Sequence, residues 1–255
     1  MAEREPPNGY ARFVIGRARV VCVESVASSL HMALRDVSLY EFASRHSEAR
    51  TLAGRGAAYA IPLPESSERV VVRRNRHGGW FAPVTRDVFR SPTRAPLELE
   101  ISAQLRAAGV PTPEILAYVT YPAALGFARV DVMSREIGNS SDLSAAFMSD
   151  DAREREIGLR ATAELITELS AAGARHHDLN IKNVLLQADP ARRLSKAFVL
   201  DVDRVTFGQG QTATRDANLA RLLRSARKWQ SLYGARVTDA ELEALDTMVR
   251  SATSP

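Results

Sequence analysis

A polar segment set between apolar runs constrains this chain most: His176-His-Asp178-Leu-Asn-Ile-Lys-Asn183-Val-Leu-Leu186, then, after a short turn, Phe198-Val-Leu-Asp201-Val-Asp203. A helical pattern precedes it, and the flanking apolar runs read as short strands, so the loop must be held by elements of both kinds. Taken singly, a loop Asp or Asn is most often a turn former or a helix cap. The ordered set differs, because Asn183 follows Asp178 by five residues and Asp201 ends the next strand. Asp and Asn offer hard oxygen donors suited to Mg²⁺, where zinc would call for His and Cys. One carboxylate can orient or accept a hydroxyl proton while the Asn183 amide oxygen and the other carboxylate hold the metal, the division of labour that phosphoryl transfer needs.

With 255 residues the chain has room for one domain or for two packed lobes. It is 45% hydrophobic and 25% charged, which excludes extended disorder and fibres. Cys22 is the only cysteine, so no internal disulfide can form and a reducing compartment is expected, with Cys22 a small buried hydrophobe. No basic-then-apolar targeting pattern opens the sequence and no run reaches the length of a membrane span, so a cytoplasmic protein is expected. Of the 34 basic residues only Lys182, Lys196 and Lys228 are lysine, and the arginines lie scattered among acidic residues. A nucleic-acid partner is not expected; a mildly basic face favours phosphorylated ligands or an anionic membrane surface.

Along the chain, Phe13 to Val23 and Tyr59 to Arg74 read as strands, with the β-branched run Val70-Val-Val72 and turn residues between. Residues 1–50 are expected to add strands to the same lobe. A helix is expected from about Leu97 to Ala108 with Leu97, Ile101 and Leu105 on one face, ended by Gly109 and Pro111. Val130-Asp-Val-Met133 gives a further strand. Asp150 or Asp151 can cap a long helix whose Ile157, Ala161, Leu165 and Leu169 share a face and which Gly173 stops. Two strands and two C-terminal helices complete an α+β chain, expected to divide into an N-terminal lobe, 1–135, and a C-terminal lobe, 136–255.

The segment resembles the catalytic loop and metal-binding motif of the protein-kinase-like superfamily, and more closely those of the lipopolysaccharide kinase family, in particular 3-deoxy-D-manno-octulosonic acid (Kdo) kinases. Three further pieces carry the likeness: Val72-Arg-Arg-Asn-Arg-His-Gly-Gly79, Thr93-Arg-Ala95 leading to Glu98, and Asn218-Leu-Ala-Arg-Leu-Leu-Arg-Ser225. It spans roughly Ala53 to Lys228. The resemblance implies a two-lobed kinase-like fold with ATP and Mg²⁺ as cofactors. The first lobe would bind nucleotide and the second would hold Asp178 as catalytic base, Asn183 and Asp201 as metal ligands, and the acceptor.

Kinases usually place a phosphate-binding lysine on the third strand of the first lobe, yet no lysine precedes Lys182. Arginine must serve there. Adjacent strand residues face opposite ways, so only one of Arg73 and Arg74 can turn inward; the reading takes Arg73, with Glu98 as its carboxylate partner. Gly54 and Gly56 would let the backbone approach phosphates. Fold analogy puts adenine against the backbone of Arg135 to Ile137. His176 is expected to brace the loop by hydrogen bonding, Asp203 to support the metal ligands, and Asn180 and Lys182 are left without a role.

The activity implied is transfer of the γ-phosphate of ATP to a sugar hydroxyl, Kdo of a lipid A precursor. The alternatives are a small-molecule phosphotransferase of the aminoglycoside or choline kinase type and a non-catalytic nucleotide-binding module. Arg215, Arg221, Arg224 and Arg227 argue against a cationic substrate and could meet an anionic membrane from its cytoplasmic side. A protein kinase fits poorly, because the 52 residues after Asp203 contain no Ala-Pro-Glu segment and leave little room for an activation loop.

Overall fold

β-Branched runs drive the first part of the chain into one antiparallel sheet. Its strands are β1 (Tyr10–Ile15), β2 (Ala18–Val23), β3 (Arg50–Leu52), β4 (Ala58–Pro62), β5 (Arg69–Arg74), β6 (Phe89–Arg90), β7 (Ile115–Pro122) and β8 (Phe127–Arg135), in the order β1-β2-β7-β8-β5-β4-β3 with β6 also on β8. The computed structural model describes residues 5–52, 57–66, 68–75, 89–90, 94–123, 127–189 and 194–252. The chain divides into two units, Met1–Ala103 with Glu114–Glu136, and Gln104–Pro113 with Ile137–Pro255.

In the first unit the sheet is buried on both faces. Val20, Cys22, Val70, Val72 and Met133 pack with Leu30 of α1 (Ala27–Ala33) and Leu39 of α2 (Leu39–Arg45). Val21, Val130 and Val132 pack on the other side with Ala95 and Leu99 of α3 (Ala95–Ala107). Strand alternation sorts these sets: Val20 and Cys22 go one way and Val21 the other. Burial pushes the Cys22 thiol up to about 11, so it behaves as a hydrophobe.

Three features depart from the sequence-based expectation. Residues 1–50 supply two helices as well as strands, and α2 is started by a capping box in which Ser38 and Glu41 satisfy each other's backbone N–H. On α3 the buried stripe is Ala95, Glu98, Leu99, Ser102 and Leu105, joined by Ile101, while Leu97 is 42% exposed. The stripe follows i, i+3, i+4, i+7 spacing from Ala95 rather than a strict step of four. The central strand β7 went unread, although Ile115-Leu-Ala-Tyr-Val is a buried-strand run.

The second unit is mainly helical: α4 (Leu143–Met148), α5 (Ala152–Ala171), α6 (Gln211–Tyr233) and α7 (Asp239–Ser251). They accompany the sheet β12 (Leu194–Val199)–β11 (Val184–Asp189)–β9 (Ser140–Asp142) and the short pair β10 (Arg175–His176) and β13 (Val205–Thr206). Asp151 caps α5 by accepting the Arg153 N–H at 2.8 Å. Ala161, Leu165 and Leu169 are buried along it, and α5 packs against β12, α6 and α7. Gly158 lets α5 also come close to β11 and α4: a Cβ there would lie 3.1 Å from Leu186 Cδ1 and 3.2 Å from Ala146 Cβ. Arg155 ties α5 to the start of α7 through Glu241 at 3.0 Å, the same glutamate that completes the α7 capping box with Thr238.

Leu169 is fully buried where α5 meets its neighbours, so Leu169→Ala should destabilise the second unit by about 2–5 kcal/mol. Urea denaturation followed by circular dichroism checks this; a loss below about 1 kcal/mol would mean that the site can collapse around the gap.

Candidate functional site

In the second unit, the loop from His176 to Asn183 is fixed by backbone pairing at its start and by side-chain bonds along its length. β10 pairs with β13 through Arg175–Thr206 and His176–Val205. The His176 N–H donates to Asn218 Oδ1 at 2.9 Å, and Asn218 Nδ2 donates to the Ala174 carbonyl at 3.0 Å. The His176 ring is fully buried. Its Nε2 lies 2.9 Å from the Leu200 carbonyl and its Nδ1 accepts the Asp178 N–H at 3.1 Å. A carbonyl can only accept and an N–H only donate, so the imidazole is neutral with its proton on Nε2. Burial holds its pKa below the ordinary 6.5, against the raising influence of the Leu200 carbonyl and of Asp201, Asp178 and Asp203. His176 therefore braces the loop.

The Asp178 carbonyl accepts from Asn180 Nδ2 at 3.0 Å and from Asn183 Nδ2 at 2.9 Å. Asn180 Oδ1 takes the Lys182 N–H at 2.9 Å, which gives Asn180 the role of an internal loop tie. With the backbone of Asp178 fixed on both sides, its half-buried carboxylate has no hydrogen-bond or ionic partner among the described residues. It is free to serve a ligand.

Asn183 and Asp201 are brought together by the β11–β12 ladder, whose last step is the Leu200 N–H donating to the Asn183 carbonyl at 2.9 Å. Asn183 spends its Nδ2 on the Asp178 carbonyl, which leaves its Oδ1 available as an acceptor. Asp201 is exposed, has φ of +53°, and offers a carboxylate with no partner among the described residues. Two such oxygens fit Mg²⁺, which takes few protein ligands and fills its shell with water and substrate phosphates. Among the described residues no group of three or more His, Cys, Asp or Glu side chains could hold a metal. Lys182 pairs with Asp142 at 2.9 Å, and its ammonium lies 5.1 Å from the Trp229 ring centroid.

In the first unit, Val72 faces the α1–α2 side, so Arg73 faces α3 and Arg74 does not. Arg73 Nη2 pairs with Glu98, which is buried on α3, and Nη1 donates to Asn75 Oδ1 at 2.6 Å. Arg74 instead meets the fully buried Asp131 at 3.1 Å and lies 4.5 Å over the Tyr40 ring. Gly54 and Gly56, and Arg76 to Gly79 of the arginine-containing motif, lie outside the described residues. The adenine expectation is narrowed, because the N–H groups of Arg135 and Glu136 already donate to Glu114 and Arg69 carbonyls, at 2.8 and 3.0 Å.

The sequence reading missed the contributions of Asn218, Ser225, Trp229 and Asp142. Ser225 Oγ accepts the Ile181 N–H at 3.3 Å, so α6 supports the loop from Asn218 to Trp229 along one face. The available signal was two polar residues seven apart, Asn218 and Ser225, on a helix face otherwise filled by Leu222 and Ala226.

The sequence model of the lipopolysaccharide kinase (Kdo/WaaP) family matches residues 47–248. A 3-deoxy-D-manno-octulosonic acid kinase of Vibrio vulnificus is 28% identical over 236 residues, 91% of this chain and 94% of the relative. The enzyme of that name from Xylella fastidiosa is 30% identical over 204 residues, covering 78% and 76%. A solved structure described as WaaP in complex with acyl carrier protein aligns with 16% identity and a TM-score of 0.45, over 85% of this chain and 93% of that one. By the family match and these relatives the protein is a phosphotransferase of the kinase class, and its fold is mixed α+β. It belongs to the lipopolysaccharide kinase family.

Protonating His176 would place a hydrogen on Nδ1 against the Asp178 N–H. A depressed histidine pKa means that the unfolded state binds the extra proton first, so the stability conferred by neutral His176 is complete above pH 6.5 and is lost as pH falls through the folded-state value. The stability difference between wild type and His176→Asn should therefore be constant at pH 7–8 and shrink as pH falls below 6.5. Denaturant titrations at several pH values measure it; a difference that grows on acidification would contradict the neutral assignment.

Proposed function

We propose that the protein is an ATP-dependent kinase that transfers the γ-phosphate to a hydroxyl of Kdo on a lipid A precursor, within lipopolysaccharide biosynthesis. The observation that carries this reading is the Asp178 carboxylate, unpartnered among the described residues on a loop whose backbone is held at both ends. Similarity to Kdo kinases along nearly the whole chain supports the choice of acceptor.

Residues 1–135 then serve the nucleotide and residues 136–255 the reaction and the acceptor. Asp178 accepts or orients the proton of the incoming hydroxyl. Asn183 Oδ1 and the Asp201 carboxylate would hold Mg²⁺, which when bound neutralises charge on the nucleotide phosphates. Arg73, steadied by Glu98 and Asn75, presents its guanidinium to phosphate in place of the usual lysine, and Gly54 and Gly56 serve the phosphate-binding turn. The lipid tail of the acceptor requires work at a membrane surface. No helix among the described residues is long and apolar enough to cross one. Exposed Arg224 and Arg227 line a cavity of about 380 Å³ between α6 and α7, a surface suited to peripheral contact with anionic lipid on the cytoplasmic face of the inner membrane.

Incubation with Mg-ATP and Kdo-lipid A precursor should add a single phosphate, seen by mass spectrometry; efficient phosphorylation of an aminoglycoside or amino alcohol with none on the lipid would overturn the assignment. Asp178→Asn should lower kcat by roughly 10²–10⁴-fold with nucleotide binding nearly intact. Asp201→Asn should weaken Mg²⁺-dependent nucleotide binding and turnover together, and calorimetry with and without Mg²⁺ separates the two variants.

A further inference from the structure

Four residues beyond Asp178, Lys182 extends from the loop with a half-exposed side chain, at 51%. Asp142, at the start of α4, accepts one of its three ammonium protons at 2.9 Å and is itself bonded by Ser144 Oγ. The ammonium lies over the Trp229 indole at 5.1 Å, and Tyr233, one turn further along α6, tilts against Trp229 at a centroid distance of 4.6 Å. Tyr233 is 56% exposed and has no hydrogen-bond partner among the described residues. Trp229 thus links a cation fixed by an acid to an exposed ring, on the same unit as the loop.

The loop's own charge gives this arrangement a use. Asp178 and Asp201 present carboxylates, and between His176 and Leu186 only Lys182 carries a permanent positive charge. Four residues of chain span at most about 14 Å, and the Asn180 ties fold this stretch into a turn, so the Lys182 backbone stays close to that of Asp178. Mg²⁺ at Asn183 and Asp201 would be offset by the nucleotide phosphates, so an acidic sugar approaching Asp178 is repelled unless a further cation stands nearby. Two ammonium protons remain for that purpose after the bond to Asp142.

We propose that Lys182, held by Asp142 and Trp229, binds the carboxylate of an acidic acceptor sugar while the exposed Tyr233 ring packs against a sugar face. This rests on the sugar-kinase reading above and specifies how its acceptor is chosen: the site selects a sugar acid over its neutral counterpart. Lys182 acts in recognition and takes no proton in the transfer.

The test uses the full-length protein with Mg-ATP and two soluble acceptors, a Kdo glycoside and its methyl ester, in which the carboxylate charge is gone. Wild type should prefer the acid, with a KM lower by roughly tenfold, as expected for one charge-assisted contact. Lys182→Gln should raise the KM for the acid by about the same factor, abolish the discrimination and leave the KM for ATP unmoved. Lys182→Arg should keep part of the preference, and Tyr233→Ala should raise the KM for acid and ester alike. If Lys182→Gln instead lowers kcat on both acceptors equally with acceptor KM unchanged, Lys182 is only a loop brace and the inference falls. Equal use of acid and ester by wild type overturns it as well, with the kinase assignment intact; no phosphorylation of either overturns both.

Discussion

The second unit depends on one buried, neutral imidazole. His176 joins the Asp178 N–H to the Leu200 carbonyl, so a single ring sets the spacing between the segment that carries the proposed base and the segment that carries Asp201. Because the ring is fully buried, an unpaired nitrogen there would cost about 1–3 kcal/mol, and both nitrogens are used. Asn218 secures the histidine's own backbone from below, and Asn183 closes the loop onto Asp178 from its far end. Among the described residues of this loop and strand end, the carboxylates of Asp178 and Asp201 are left without protein partners. Rigid backbone with free side-chain oxygens is the condition that ligand binding demands, since the ordering cost is met in folding.

The first unit solves a different electrostatic problem with two neighbouring arginines. Along β5 the side chains alternate, and the sheet has a core on each face, so Arg73 and Arg74 both require a carboxylate and cannot share one. Arg74 meets Asp131, which is fully buried; burial pushes that carboxyl up while the Tyr40 N–H and Arg74 favour its charged form. The same aspartate takes the N–H of Tyr40 in the first turn of α2, so the pair also anchors a helix. Breaking it would leave a charge in the interior, which makes this arginine structural. Arg73 retains about a third of its exposure beside Glu98 and can still reach a ligand.

Much of this was legible because it is local. The β-branched runs, the Asp151 cap, the Gly173 stop at φ +61° and the Asp178–Asn183 spacing are each written within a few residues, and Asp201 closes the next strand run of the same stretch. The strand alternation that separates Arg73 from Arg74 is equally local and led to Glu98. What went unread depends on distant partners. Asn218 lies 42 residues from His176, and Trp229 lies 47 residues from Lys182; the polar spacing on α6 marks a special face but does not reveal what it meets. Strand β7 was hidden for another reason: with both faces of the sheet covered, a central strand is apolar throughout and loses the alternation by which strands are recognised. Leu97 misled because a four-residue step drifts around a helix of 3.6 residues per turn.

Asp201 shows how the backbone and the chemistry constrain the same residue. Its φ of +53° lies in the left-handed region, where most side chains are disfavoured by about 1–2 kcal/mol and where Asp and Asn are among the few tolerated. That turn ends β12 abruptly and begins the short 3₁₀ segment Val202–Arg204, so the residue projects from the strand end instead of continuing the sheet. A glycine would satisfy the dihedral and lose the oxygens; a glutamate would keep the charge and strain the backbone. Asparagine meets the dihedral but not the charge. Of the ordinary residues only aspartate supplies both a left-handed turn at low cost and an anionic oxygen at the end of the strand, so the geometry of the fold and the proposed role as a cation ligand favour the same side chain.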